Sequence, residues 1–317
     1  MRDEKHRSEI FKDFNNHDRF KFPAEIKRVT AGKGGESLLI LIKGKTVLYD
    51  TGMAYCGDKL VENIKDALNG RALDYVLISH THYDHIGALP FILNRWPDVK
   101  VLGSLKAKKV FESDGAKKLI KKLGEVARDN YTDDDVNIPK DGFRIDMVLS
   151  DGEDFNLGEA FIHVIETKGH TDCSMAYILE PMGLMFASES TGVLRGEDYM
   201  HTAILKSFHD AIVSAEKCKE YRPKALISPH YGLIPGEYIS KYFDIYIYEA
   251  KRERDLILRC VKKGMSIEEI EKTHEKMYWS AVRASAQPKE AYLENRKHTI
   301  KCVINEYENR SKNDKKD

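Results

Sequence analysis

The segment Ser79-His80-Thr81-His82-Tyr83-Asp84-His85 places three imidazoles and a carboxylate within six positions. Imidazole is a good ligand for zinc and other borderline transition metals, and the carboxylate adds negative charge against a second cation. Alternation along an extended chain puts His80 and His82 on one side, where both reach one ion. A turn at Tyr83 then aims Asp84 and His85 at a neighbouring position. A single histidine is more often a structural or surface residue than a ligand, but this density directly behind an apolar run reads as metal chemistry. Two cations held close together lower the pKa of a shared water from about 15.7 to about 7 and polarise a carbonyl or phosphoryl oxygen. The natural use is hydrolysis without a serine or cysteine nucleophile, and the chain has neither a Gly-x-Ser-x-Gly elbow nor a P-loop.

The elements that must position these groups are legible as short apolar and β-branched runs at 37–42, 46–49, 75–79, 99–103, 144–149, 160–167, 175–179, 184–187 and 224–228. They alternate with helical stretches, as in an α/β or layered α+β region. Leu60, Val61, Ile64, Ala67 and Leu68 share one helical face, with Asp58 placed to cap its start and Gly70 to end it. The 202–221 stretch, which contains His209, is helical in pattern. From Tyr238 onward only helical periodicity remains, over 238–263, 266–277 and 289–309, broken at Gly264-Met265-Ser266 and Pro288. The pattern changes near Pro235-Gly236, which divides the chain into 1–235 and a helical segment 236–317. The aromatics Tyr242, Phe243, Tyr246 and Tyr248 suit a cover over the metal edge, packing onto the body, or a homodimer contact through the C-terminal helices.

His80-Thr81-His82-Tyr83-Asp84-His85 resembles the HxHxDH signature of the metallo-β-lactamase-fold hydrolases. Further positions match that pattern in order: Asp50 in Leu48-Tyr49-Asp50-Thr51-Gly52, His170 in Gly169-His170-Thr171-Asp172, and His230 in Ser228-Pro229-His230-Tyr231-Gly232. The resemblance spans residues from about 25 to about 235. It implies an α+β fold, a four-layer αββα sandwich with a C-terminal helical extension, and ligands on loops along one edge. It implies two divalent transition-metal ions, zinc first, with iron or manganese as alternatives. His80, His82 and His170 would hold one ion, and Asp84, His85 and His230 the other. Asp84 and Asp50 would be the carboxylates in catalytic roles, Asp50 by orienting the ligand loop. Glu189, in Leu184-Met185-Phe186-Ala187-Ser188-Glu189, stands where the family has a bridging Asp, which leaves occupancy and metal preference of the second site open. The stretches 78–91 and 96–102, with the helical extension, are most similar in layout to the quinolone-signal-response thioesterase branch.

The expected reaction is metal-dependent hydrolysis of a thioester, ester or lactone. The alternatives are a phosphodiesterase on a small molecule or nucleic acid, and a weakly active metal-binding regulatory scaffold. Redox use of a di-iron site ranks below these, because no flavin-binding pattern follows. Lys+Arg and Asp+Glu balance at 51 each, so there is no bulk electrostatic footprint for nucleic acid, and a small-molecule substrate is expected. The longest aliphatic run, Leu38 to Ile42, is far below the roughly 18 to 20 residues of a membrane span, and no apolar segment backs Met1–Arg7 as a signal peptide. The chain reads as cytoplasmic. Cys56, Cys173, Cys218, Cys260 and Cys302 form no CxxC pair and are expected to be reduced. Structural or surface roles are expected for His6, His17, His163, His201, His209, His274 and His298, a turn role for Asp172, and a frayed tail from Ser311.

Overall fold

The computed structural model describes residues 20–194, 200–280 and 287–313, with side chains to residue 309. His6, His17 and the tail from 314 lie outside the described residues. The first half builds one six-stranded sheet: β1 (Ile26–Arg28), β2 (Leu38–Ile42), β3 (Lys45–Tyr49), β4 (Tyr75–Leu77), β5 (Lys100–Ser104) and β6 (Met147–Leu149), in that spatial order. Strands β1 to β3 are antiparallel and β3 to β6 parallel. The parallel connections are helical, as parallel pairing requires: α1 (Gly57–Leu68), α2 (Tyr83–Ile86) with α3 (Leu89–Arg95), and α4 (Leu105–Glu112) with α5 (Asp114–Tyr131).

The second sheet is formed by β7 (Asp154–Asn156), β8 (Phe161–Glu166), β9 (Met175–Glu180), β10 (Leu184–Phe186), β13 (Ala225–Ser228) and β14 (Gly232–Pro235), in the order β14-β13-β10-β9-β8-β7. A small hairpin of β11 (Val193–Leu194) and β12 (Met200–His201) and the helix α6 (Phe208–Glu220) come between β10 and β13. Three helices follow: α7 (Gly236–Lys262), α8 (Ile267–Tyr278) and α9 (Lys289–Asn313).

Side-chain alternation makes the layers. Leu38, Ile40, Val47, Tyr49, Leu77 and Leu102 face Ile162, Val164, Tyr177, Leu179, Phe186 and Ile227 across the gap between the sheets. The alternate residues Leu39, Leu48, Val76 and Val101 pack outward on Leu60, Ile64 and Leu68 of α1 and on Leu89 and Ile92 of α3. On the other side Ile165, Ile178, Met185, Leu226 and Ile234 pack on Ala215 and Cys218 of α6 and on Ile239, Tyr242, Phe243 and Tyr246 of α7. The fold is therefore an αββα sandwich with C-terminal helices. No described helix is long and apolar enough to cross a membrane. All five cysteines are free.

Three local expectations are corrected. Asp58 sits in the first turn of α1 and caps nothing: the cap position is Cys56, without a side-chain bond, and left-handed Asn69 rather than Gly70 ends the helix. The helix expected over 202–221 begins only at Phe208, because 205–207 turn their N–H groups onto the Gly169 carbonyl instead. The aromatics of α7 are not a cover: Tyr242, Phe243 and Tyr246 are buried against the second sheet, and only Tyr248 of the four is exposed. Spacings of three and four residues put them on the core-facing stripe. A chain ending after Pro235 would bare Ile178, Met185, Leu226 and Ile234, and is expected to aggregate or bind an apolar dye. A soluble 1–235 protein with a cooperative melt would contradict this packing role.

Candidate metal centre

All the ligand-type side chains lie where strands of the two sheets end. Asp50 follows β3, Ser79 and His80 follow β4, His170 lies between β8 and β9, Glu189 follows β10 and His230 follows β13. His82 is extended and caps α2, whose first turn carries Asp84 and His85 to the neighbouring donor group, with the His85 ring packed beside His80 at 4.2 Å between centroids. Two donor groups result, each with its ligand atoms within 4.8 Å of one another: His80, His82 and His170; and Asp84, His85, Glu189 and His230. In the first group His170 Nε2 lies 3.2 Å from His80 Nε2 and 2.9 Å from His82 Nδ1. In the second, His85 Nε2 and His230 Nε2 are 3.3 Å apart, and Asp84 Oδ2 lies 3.9 and 3.6 Å from them.

Glu189 joins the groups. Its Oε1 lies 2.6 Å from His230 Nε2 and 3.0 Å from His85 Nε2, while Oε2 lies 3.2 Å from His170 Nε2. The carboxylate reaches this point from a short 3-10 turn, Glu189–Thr191, capped by the Ser188 hydroxyl accepting from Ser190 N–H. From beneath, Tyr242 of α7 donates its hydroxyl to the Gly192 carbonyl at 2.7 Å.

In His85, His170 and His230 the ring nitrogen turned away from the cluster has its own partner, which fixes tautomer and orientation. Asp50 is fully buried and left-handed at φ 47. Its Oδ2 accepts from the Ser79 hydroxyl at 2.5 Å and lies 2.8 Å from His85 Nδ1, while Oδ1 accepts from Ser79 N–H at 2.8 Å. Fully buried and with both oxygens engaged, Asp50 ties His85 to the loop that carries Ser79 and His80. His170 Nδ1 donates to the Ala203 carbonyl and His230 Nδ1 to the Gly34 carbonyl, each at 2.6 Å. Ala203, Gly34 and Gly35 were invisible in the sequence pattern, because a backbone carbonyl carries no residue-type signal.

Burial sets the protonation states. Desolvation, reinforced by neighbouring imidazoles, holds His80 well below the usual range and His82 down at about 3. His170 is lowered by burial as well. Burial also opposes charge on Glu189, but His170, His230 and His85 outweigh it and hold the carboxyl ionised. His85 runs the other way: burial opposes its charge, yet Asp84, Asp50 and Glu189 raise it well above the usual range. Three neutral imidazoles on one side, and two carboxylates with two imidazoles on the other, are a donor chemistry that fits transition-metal ions.

Three further histidines are engaged away from the cluster. His163 pairs with Asp154 and Tyr221, His274 with Glu253 and Tyr292, and His298 with Glu294. Asp172 is exposed in a turn, off the cluster.

Gly35 touches the site directly. A Cβ there would lie 2.5 Å from His85 Cε1 and 2.6 Å from Nδ1, inside any real contact. Gly35→Ala is expected to push the imidazole off Asp50, to destabilise by about 1 to 3 kcal/mol, and to weaken metal uptake. Thermal melting and elemental analysis check it. An unchanged melt and metal content would show that the ring has room to move.

The sequence profile of the metallo-beta-lactamase superfamily matches residues 32–194. A metallo-beta-lactamase fold-containing protein of Sulfurisphaera tokodaii is 27% identical over 206 residues, covering 59% of this chain and 74% of that protein. The hydroxyacylglutathione hydrolase of Francisella tularensis subsp. novicida is 25% identical over 177 residues, covering 54% of this chain and 56% of that enzyme. Among solved structures, a metallo-beta-lactamase family protein of Thermus thermophilus superposes with a TM-score of 0.56 at 15% identity, covering 85% of this chain and 86% of that one. With an αββα sandwich, donor groups at the strand ends and a family match over half its length, this chain belongs to the metallo-β-lactamase superfamily of metal-dependent hydrolases.

Proposed function

We propose that the protein hydrolyses a small-molecule thioester, ester or lactone at a dinuclear centre. The chain then comprises a hydrolase domain, 1–235, and a helical segment, 236–317, that supports it from behind. His80, His82 and His170 would hold one divalent ion, zinc in the first instance, and Asp84, His85 and His230 a second, with Glu189 between them. The observation that carries this reading is Glu189, whose two oxygens face the two donor groups at once. Ions held there would supply a water nucleophile at neutral pH and polarise the substrate carbonyl.

The chain's own residues do the rest. His82 and Asp84 are the partly exposed members, so substrate approaches over them, while His80, His85, His170, Glu189 and the imidazole of His230 form the buried floor. Asp84 has the most exposed carboxylate of the cluster and is suited to orient the attacking water and accept its proton. Asp50 and Ser79 keep the floor in register from below.

A thioester or related acyl substrate is favoured over a phosphodiester by the similarity to a hydroxyacylglutathione hydrolase and by the zero net charge, which gives no general attraction for polyanions. Metal-replete protein assayed on acyl thioesters, lactones and bis-aryl phosphodiesters decides the class. Preference for the phosphodiester would overturn the acyl reading. Ligand binding without turnover of any of the three would favour a scaffold.

A further inference from the structure

The segment 202–208 runs directly behind His170, and both its ends are held by carboxylates of the C-terminal helices. At one end the Thr202 hydroxyl donates to Glu253 Oε2 of α7. The other oxygen of Glu253 accepts from His274 Nε2 of α8 at 2.7 Å, and His274 Nδ1 lies 3.1 Å from the Tyr292 hydroxyl of α9. Thr202, Glu253 and His274 are all buried. At the other end Glu306 Oε1 of α9 accepts from the Ser207 hydroxyl and from Phe208 N–H, each at 2.8 Å. Between the anchors the segment closes on the loop it supports. Lys206 N–H donates to the Gly169 carbonyl at 2.9 Å, and the Ala203 carbonyl accepts from His170 Nδ1 at 2.6 Å.

Two features argue that this arrangement serves position rather than stability. Ala203 is left-handed, with φ 51, which a residue bearing a Cβ keeps only when its surroundings over-determine it. The buried Glu253–His274 pair gives up solvation of both groups, and replacing buried pairs of this kind by well-packed apolar residues is often neutral or stabilising. What these contacts fix is the direction of one carbonyl.

We propose that Thr202, Glu253 and Glu306 are positioning residues for His170, through which the C-terminal helices set its metal-binding geometry. The proposal rests on the reading of His170 as a metal ligand. Ala203 holds the proton on Nδ1, so the lone pair of Nε2 points toward His80 and His82. Release of either anchor lets the 202–208 segment relax, Ala203 leaves its left-handed conformation, and His170 loses both tautomer and direction.

The test is a cobalt(II) titration of the full chain, followed by visible absorption, which reports the ligand geometry independently of activity. Wild type is compared with Thr202→Val, Thr202→Ser, Glu306→Ala and His170→Ala. Thr202→Val and Glu306→Ala should each weaken the first site about tenfold and shift its absorption bands, while Thr202→Ser keeps the hydroxyl and should match wild type. Glu306 is half-buried, so its variant carries the test even where Thr202→Val does not fold. Unchanged affinity and bands in Glu306→Ala and in folded Thr202→Val, with binding lost in His170→Ala, would overturn the positioning role alone. Wild-type binding retained in His170→Ala would instead remove the metal reading on which it rests.

Discussion

His82→Ala is expected to lose the ion of the first donor group and to lower hydrolysis by more than the roughly 10- to 100-fold seen when only an outer partner of a ligand is removed. The reason is geometric. His82 Nδ1 lies 2.9 Å from His170 Nε2, and His80, His82 and His170 form a set of three whose atoms converge on one point. Two imidazoles and a water make a far weaker zinc site than three imidazoles. His82 is partly exposed, so its removal leaves a solvated gap rather than a dry cavity, and the melt should move little. Elemental analysis and kcat on the best substrate of the panel are the readouts. Unchanged metal content in a folded His82→Ala protein would exclude this side chain as a ligand.

His80, His82, Asp84 and His85 were legible as a dense run of ligand-type side chains, whereas His170, Glu189 and His230 were placed only through the resemblance to the metallo-β-lactamase motif order. The run from Tyr75 to Ser79 reads as a buried strand, and three histidines and an aspartate within six positions after it have few structural explanations. The strands were legible for a similar reason: Leu38 to Ile42 and Met175 to Leu179 are buried on both faces and read as continuous apolar runs. The three-residue strands β1 and β7 and the Gly-led β14 carry no such run, and they pair because their neighbours present free edges.

The loop behind His170 was misread for a definite physical cause. Its 202–207 portion has helical composition, but the Gly169 carbonyl and the Glu306 carboxylate take the N–H and hydroxyl groups that a longer helix would have used. Partners 35 to 100 residues away in sequence decide that competition, and no local pattern reports them. The same holds for the Gly34 and Ala203 carbonyls, which orient two of the histidines. The aromatic cluster of α7 was ambiguous for the opposite reason: its periodicity shows that one face is buried without showing against what. The answer is the outer face of the second sheet, directly beneath the turn that carries Glu189.

Glu189→Asp is expected to uncouple the two donor groups. Glutamate spans them because Oε1 reaches His230 and His85 at 2.6 and 3.0 Å while Oε2 still reaches His170 at 3.2 Å. Aspartate withdraws the carboxylate by about 1.5 Å, the length of one C–C bond. The Glu189–Thr191 turn cannot follow it: Ser190 Oγ donates to the Thr167 carbonyl at 2.6 Å and accepts from His170 N–H at 3.1 Å, and Gly192 is pressed against the Tyr246 ring. The shorter arm therefore contacts one group only. The group it leaves loses a charged ligand, while the neutral imidazoles of His80, His82 and His170 still suffice for one ion. Titration with zinc should then show one tight site and one weakened by about tenfold or more, with the melt of the metal-free protein nearly unchanged because no apolar packing is lost. Hydrolysis should fall in proportion to occupancy of the weakened site and recover as metal is raised, which distinguishes a lost ligand from a lost proton acceptor. Identical titrations of wild type and Glu189→Asp would show that this carboxylate binds no metal and serves only to neutralise the histidines around it.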